Sequence, residues 1–130
     1  MNITFQNVSK AMNKMENDTQ NNTKGTLNIC LNYGGRAEIV DAINKIIKAK
    51  ENNITEEKFQ KYLYQDLIDI DLMIRTSGEL RISNFMLWQL SYAELYFPNC
   101  YFPDFNEEEY YKALIEYTKR DRRFGSLNNE

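Results

Sequence analysis

Apolar residues recur along this chain at two different periods, and each change of period marks an element. Phe5, Val8, Met12 and Met15 stand at 3-4-3 spacing, which predicts a short amphipathic helix that ends in the polar run ENDTQNNTKG (16–25). The stretch TLNICLNY (26–33) alternates, carrying Leu27, Ile29, Cys30 and Leu31, and predicts a buried strand that stops at Gly34-Gly35. From Arg36 the period lengthens. Ile39, Val40, Ile43, Ile46 and Ile47 make one helix face, with Glu38 and Asp41 early and Lys45, Lys48 and Lys50 late, as the helix dipole prefers. Asn52-Asn53 is expected to end it. Thr55 then suits the N-cap of a second helix bearing Glu56, Glu57, Phe59, Tyr62 and Leu63.

The run DIDLMIR (69–75) predicts a second strand, followed by the polar loop RTSGELR and a helix from Ser83 to Ala93. ELYF (94–97) is a short strand at most. A last helix starts near Asn106, which stands at capping-box spacing from Glu109, and runs through Leu114 and Ile115 to the basic stretch KRDRRFG. Strands alternating with helices of this length imply an α/β fold, a parallel sheet flanked by helices on both faces. In such sheets ligands bind beyond the carboxyl ends of strands. Two glycine- and arginine-bearing loops qualify, NYGGR (32–36) and RTSGELR (75–81), and one sheet edge is expected to carry both.

Composition narrows the chemistry. The 130 residues, 42% of them hydrophobic, suffice for one domain with a single core. A net charge of -3 with scattered basic residues argues against a nucleic-acid partner, so any anion site must be local. Histidine is absent, which removes Ser-His and Cys-His triads and His-based metal sites. Cys30 and Cys100 sit among apolar residues and read as buried hydrophobes. No run reaches the roughly 18 to 20 apolar residues of a membrane span, so a cytoplasmic protein is expected, with contact at the membrane surface left open.

A guanidinium presents a fixed fork of donors that suits phosphate oxygens, and Arg75 and Arg81 flank the second loop. Ser83, at the start of the expected helix, would add its hydroxyl and the helix's unpaired N–H groups. Charge-assisted bonds of about 1.5 to 3 kcal/mol each give such a diphosphate clamp a substrate-like affinity, roughly micromolar to millimolar. The plainer alternative makes Arg75 and Arg81 surface residues paired with Glu79 and Asp71, and Ser83 only an N-cap. Glu94, behind the apolar stretch NFMLWQLSYA, is either a magnesium ligand or an arginine's partner. That stretch is apolar on all faces, so its helix is expected to be buried on every side, with a subunit interface as one means.

LNICLNYGGRAEIVDAI, DLMIRTSGELRISNFMLWQLSYAELYF, PDF and RRFG closely resemble the cis-prenyltransferase family, in particular its bacterial undecaprenyl diphosphate synthases. The resemblance runs from about Phe5 to Gly125, with 1–25 a helix and polar loop and 26–125 the matching core. It implies about half of that fold, the carboxyl-terminal part of a single domain. It further implies condensation of isopentenyl diphosphate with an allylic, farnesyl-type diphosphate, Mg2+, a homodimer and product release at a membrane surface. Carried over by motif, Arg75, Arg81 and Ser83 resemble the residues that bind the isopentenyl diphosphate. Glu79 resembles the glutamate supporting them, and Glu94 the carboxylate that handles magnesium. Asn32 and Arg36 match a motif lining the site. Arg123 and Gly125 fit a terminal Arg-x-Gly motif that reaches toward the partner's site. Leu80 departs from the family, where bacterial members often carry histidine or glutamine.

The family's Asp-Gly-Asn-x-Arg loop, which binds the allylic diphosphate, does not occur between Met1 and Glu130. No catalytic residue can therefore be named, and the isolated chain is expected to be inactive. Competing readings are a non-catalytic diphosphate-binding subunit that completes another chain's site, and a fragment without a stable fold whose strands expose an edge.

Overall fold

A computed structural model of the chain describes residues 5–67 and 69–120. Two compact units divide near the first glycine loop, Met1–Leu31 and Asn32–Glu130. Arg123 and Gly125 lie outside the described residues.

In the first unit, α1 spans Phe5–Thr19. It runs further than the apolar spacing predicts, into the polar stretch, because local bonds sustain its last turns. Lys14 pairs with Asp18 one turn on, and the Thr19 hydroxyl donates to the Met15 carbonyl at 2.8 Å. Residues 26–31 contradict the expected buried strand. Leu27 is 81% exposed, Ile29, Cys30 and Leu31 are also exposed, and these residues join no ladder. Alternation makes a strand only where a neighbouring edge and an apolar surface receive it. Asn32, at φ 51°, then turns out of the extended region.

The second unit is α/β. Helix α2 spans Gly35–Ala49 and stops at Lys50, in the left-handed conformation, before the two asparagines expected to end it. The Lys50 N–H reaches back to the Ile46 and Ile47 carbonyls, as helix ends of this type do. Its buried line is Gly35, Glu38, Ala42 and Ile46, whereas Val40, Ile43 and Ile47 of the expected apolar face are exposed. Thr55 caps α3 (Glu56–Gln60), its hydroxyl accepting from the Lys58 N–H at 3.3 Å. Strands β1 (Leu72–Ile74) and β2 (Glu94–Tyr96) pair in parallel with Leu72 opposite Glu94 and Ile74 opposite Tyr96. A 3-10 turn at Phe102–Asp104 leads to α4 (Glu107–Thr118). The core is small: Ala42, Ile46, Leu63, Met73, Leu90 and Ala113, joined by the polar Glu38 and Gln89.

The expected helix 83–93 is absent. Ser83, Asn84 and Met86 take φ values of 47°, 63° and 44°, and the segment advances by separate turns. Most helical stability comes from packing, and an all-apolar helix needs apolar surroundings on every side. This core supplies one side. Gln89 and Leu90 are buried, Phe59 and Trp88 stack with ring centroids 4.5 Å apart, and Phe85 and Tyr92 remain exposed.

Helix α4 begins as its sequence predicts, the Asn106 side chain accepting from the Glu109 N–H at 3.1 Å. Asn106→Ala leaves that donor without its cap and should lower stability by about 1 kcal/mol. Asn106→Asp should not, as read by urea denaturation of the two variants.

Candidate functional site

The parallel ladder places RTSGELR at the carboxyl end of β1. The Arg75 N–H donates to the Tyr96 carbonyl at 2.9 Å, which carries the ladder one step beyond β1. The loop is then held on its far side: the Ser77 N–H donates to the Cys100 carbonyl at 2.7 Å and the Gly78 N–H to the Pro98 carbonyl at 3.2 Å. Gly78 lies at φ 63°, and a Cβ there would stand 3.1 Å from the Asn99 side chain. Fastened at both margins, the loop bends back so that Arg75 Nη1 donates to Ser83 Oγ at 3.1 Å. Arg81 instead pairs with Glu79 at 2.7 Å, in a largely exposed contact.

Of the expected clamp, Arg75 and Ser83 are in contact, and Arg81 and Glu79 form a second pair on the same loop. Because Ser83 heads no α-helix, the helix-end contribution expected of it is missing. Its hydroxyl oxygen accepts from Arg75, which leaves its O–H to donate elsewhere. Arg36 joins them through Asn84, whose side-chain oxygen accepts from the Arg36 N–H at 2.9 Å while its carbonyl accepts from the Gly35 N–H at 2.8 Å. Asn32 is exposed where the first loop begins. Two cavities open along this seam. One, of about 230 Å³, is lined by Arg75, Thr76, Phe85 and apolar neighbours. The other, of about 320 Å³, is lined by Arg36, Ile82, Asn84 and Leu87.

Glu94 stands elsewhere. It opens β2 opposite Leu72, three residues before Arg75 in the register, so about 10 Å of strand separates it from the loop. Its carboxylate pairs with Arg120 at 2.9 Å. Among the described residues no group of three or more carboxylates or thiols could hold a metal ion. No helix among the described residues is long and apolar enough to cross a membrane.

A family model described as "Putative undecaprenyl diphosphate synthase" matches residues 2–125. The chain belongs to this family. The isoprenyl transferase of Fusobacterium nucleatum is 58% identical over 122 residues, covering 94% of this chain and 53% of that protein. The isoprenyl transferase of Thermotoga maritima is 48% identical over 127 residues, covering 94% and 54%. Among solved structures, a probable undecaprenyl diphosphate synthase from Campylobacter jejuni superposes with a TM-score of 0.83 at 33% identity, over 95% of this chain and 58% of that one. Lavandulyl diphosphate synthase from Lavandula x intermedia, solved with dimethylallyl diphosphate, gives 0.86 at 35% identity, over 93% and 55%. The chain thus spans about half the length of the curated relatives it matches.

Behind the two loops lies a polar cluster that the sequence pattern did not reveal. Glu38 is 2% exposed, and its carboxylate accepts from the Tyr33 hydroxyl, the Tyr64 N–H at 3.0 Å and Gln89 Nε2 at 3.2 Å. Gln89 Oε1 is itself buried without a hydrogen-bond partner. The available signal was Glu38's position on the helical line of Gly35, Ala42 and Ile46, which an acidic first-turn residue normally avoids. Glu38→Ala removes the acceptor shared by three donors and should cost about 1–3 kcal/mol in urea denaturation.

The Tyr64 hydroxyl donates to Asp41 at 2.6 Å, and this bond, followed by burial and the nearby carboxylates, raises the phenol above its usual range. A folded value above the unfolded one means that the bond's contribution is whole below the ordinary phenol range, about 10. It is lost as pH climbs through the raised value. Ultraviolet difference titration should find Tyr64 among the late-ionising tyrosines, beside Tyr62, and Asp41→Asn should return Tyr64 alone toward the ordinary range.

Proposed function

We propose that this chain is the part of a cis-prenyltransferase that holds isopentenyl diphosphate for condensation with an allylic diphosphate. The observation that carries the reading is the Arg75–Ser83 contact at the carboxyl end of β1, with Arg81 on the same loop, in a chain of this family. A guanidinium has five N–H donors, and Arg75 commits one of them to Ser83, so the rest of its fork can meet diphosphate oxygens. Arg81 is held by an exposed ion pair of the kind worth about 0.2–1 kcal/mol, small beside a charge-assisted phosphate bond. Glu79 therefore parks Arg81 without withholding it. Holding the isopentenyl unit in attack geometry contributes proximity, while stabilising the departing allylic diphosphate falls to groups outside this chain. Magnesium, when bound with the diphosphates, would supply further charge neutralisation there. Dimeric assembly and cytoplasmic location with product release at a membrane surface belong to the same reading.

Calorimetric titration with isopentenyl diphosphate should give a dissociation constant between about micromolar and millimolar, and Arg75→Ala and Arg81→Ala should each weaken it roughly 10- to 100-fold. No heat of binding at millimolar ligand would defeat the assignment. Labelled isopentenyl diphosphate should not be incorporated into longer products by the chain alone. Incorporation by it unaided would overturn the division of labour.

A further inference from the structure

Helix α2 is capped from the far side of the fold. Its N-cap, Gly34, has no side chain, yet the first amides of a helix need acceptors. Asn84 provides two of them, its carbonyl for Gly35 and its side-chain oxygen for Arg36, the latter 48 residues away in sequence. The approach is tight. A Cβ on Gly34 would stand 2.9 Å from Asn84 Nδ2, and one on Gly35 would stand 2.8 Å from Leu87 Cγ and 3.2 Å from the Asn84 carbonyl. Gly35 is therefore required by contact, and a side chain at Gly34 would displace the Asn84 amide, although neither glycine is among the residues with positive φ. The cost is carried on the other loop, where Ser83 and Asn84 both occupy the left-handed region. Asparagine tolerates that region better than most residues.

The same two bonds close off an alternative. The Gly35 and Arg36 amides already have protein acceptors, so the NYGGR loop does not offer them to an anion. What the loop contributes to a ligand is the Arg36 side chain, and Asn84 sets where that side chain starts. On its other side, Asn84 is covalently joined to Ser83, which holds Arg75. We propose that Asn84 is a positioning residue that fixes Arg36 relative to the Arg75–Ser83 pair, so that the two loops meet one diphosphate together. This deepens the isopentenyl diphosphate reading and rests on it.

The test is a double-mutant cycle on this chain, with affinity for isopentenyl diphosphate measured by calorimetry and exchange of the Arg36 amide hydrogen followed by NMR. Asn84→Ala should speed that exchange and weaken binding about tenfold, and in an Arg36→Ala background it should weaken binding by less than about twofold. Gly34→Ala keeps every polar group of Asn84 but pushes its side-chain amide away from the Arg36 N–H, and should reproduce both effects if Asn84→Ala does not fold. Unchanged binding in these variants, or an equal tenfold loss in both backgrounds, overturns the positioning role while leaving the isopentenyl site standing. No binding by the unsubstituted chain overturns the isopentenyl reading and this inference with it.

Discussion

A carboxylate taken out of water must be held by donors, and the second unit is arranged around one that is. Glu38 draws its donors from three separate segments: the hydroxyl of Tyr33 ahead of α2, the backbone of Tyr64 after α3, and the amide of Gln89 before β2. None of these is charged, so the cluster is a hydrogen-bonded hub and not a buried ion pair. Its consequence is directional. Hydrogen bonds fix angles that apolar contact leaves free, and six small or medium core residues would otherwise fix few. By holding Tyr33 to Glu38, on either side of Gly34 and Gly35, the hub constrains where those two glycines lie. That is where the second loop makes contact.

The parallel register settles a different question, which carboxylates can share a site. Loops leaving the carboxyl end of β1 carry Arg75, Glu79, Arg81 and Ser83 to one edge. Glu94, at the opposite end of the short ladder, meets the basic stretch through Arg120. Diphosphate recognition in the proposed reading is therefore a matter of guanidinium and hydroxyl, with any carboxylate near it acting on an arginine. Glu79 does so directly, and Glu94 does so at a distance from the loop.

What the sequence made legible was local or short. Thr55 and Asn106 cap as their spacing predicts because a cap needs only residues within one turn. The parallel α/β arrangement and the loop RTSGELR after a strand also follow from the order of elements, whereas NYGGR leaves no strand because the one expected before it does not form. The strand at 26–33 and the helix at 83–93 fail for a common reason: each was inferred from apolar pattern alone, and pattern declares a face without providing what covers it. Glu38 and Asn84 were illegible for the converse reason. Gln89 lies 51 residues from Glu38 and Arg36 lies 48 from Asn84, and no periodicity links a glutamate in one helix to a glutamine in a later turn. The resemblance singled out the residues that would touch ligand and passed over those that hold them.

The exposure of these groups bears on how much chemistry they could do. Arg81 and Glu79 are substantially solvated, and an ion pair in water is weak and easily exchanged. That suits capture and release of a charged substrate. Stabilising a departing diphosphate asks for the opposite, fixed donors in a site from which water has been excluded, where each interaction counts for more. An open edge with one arginine parked on a glutamate is organised for the first task. In the proposed reading the second depends on whatever encloses this edge, and enclosure would strengthen Arg75 and Arg81 without altering either residue.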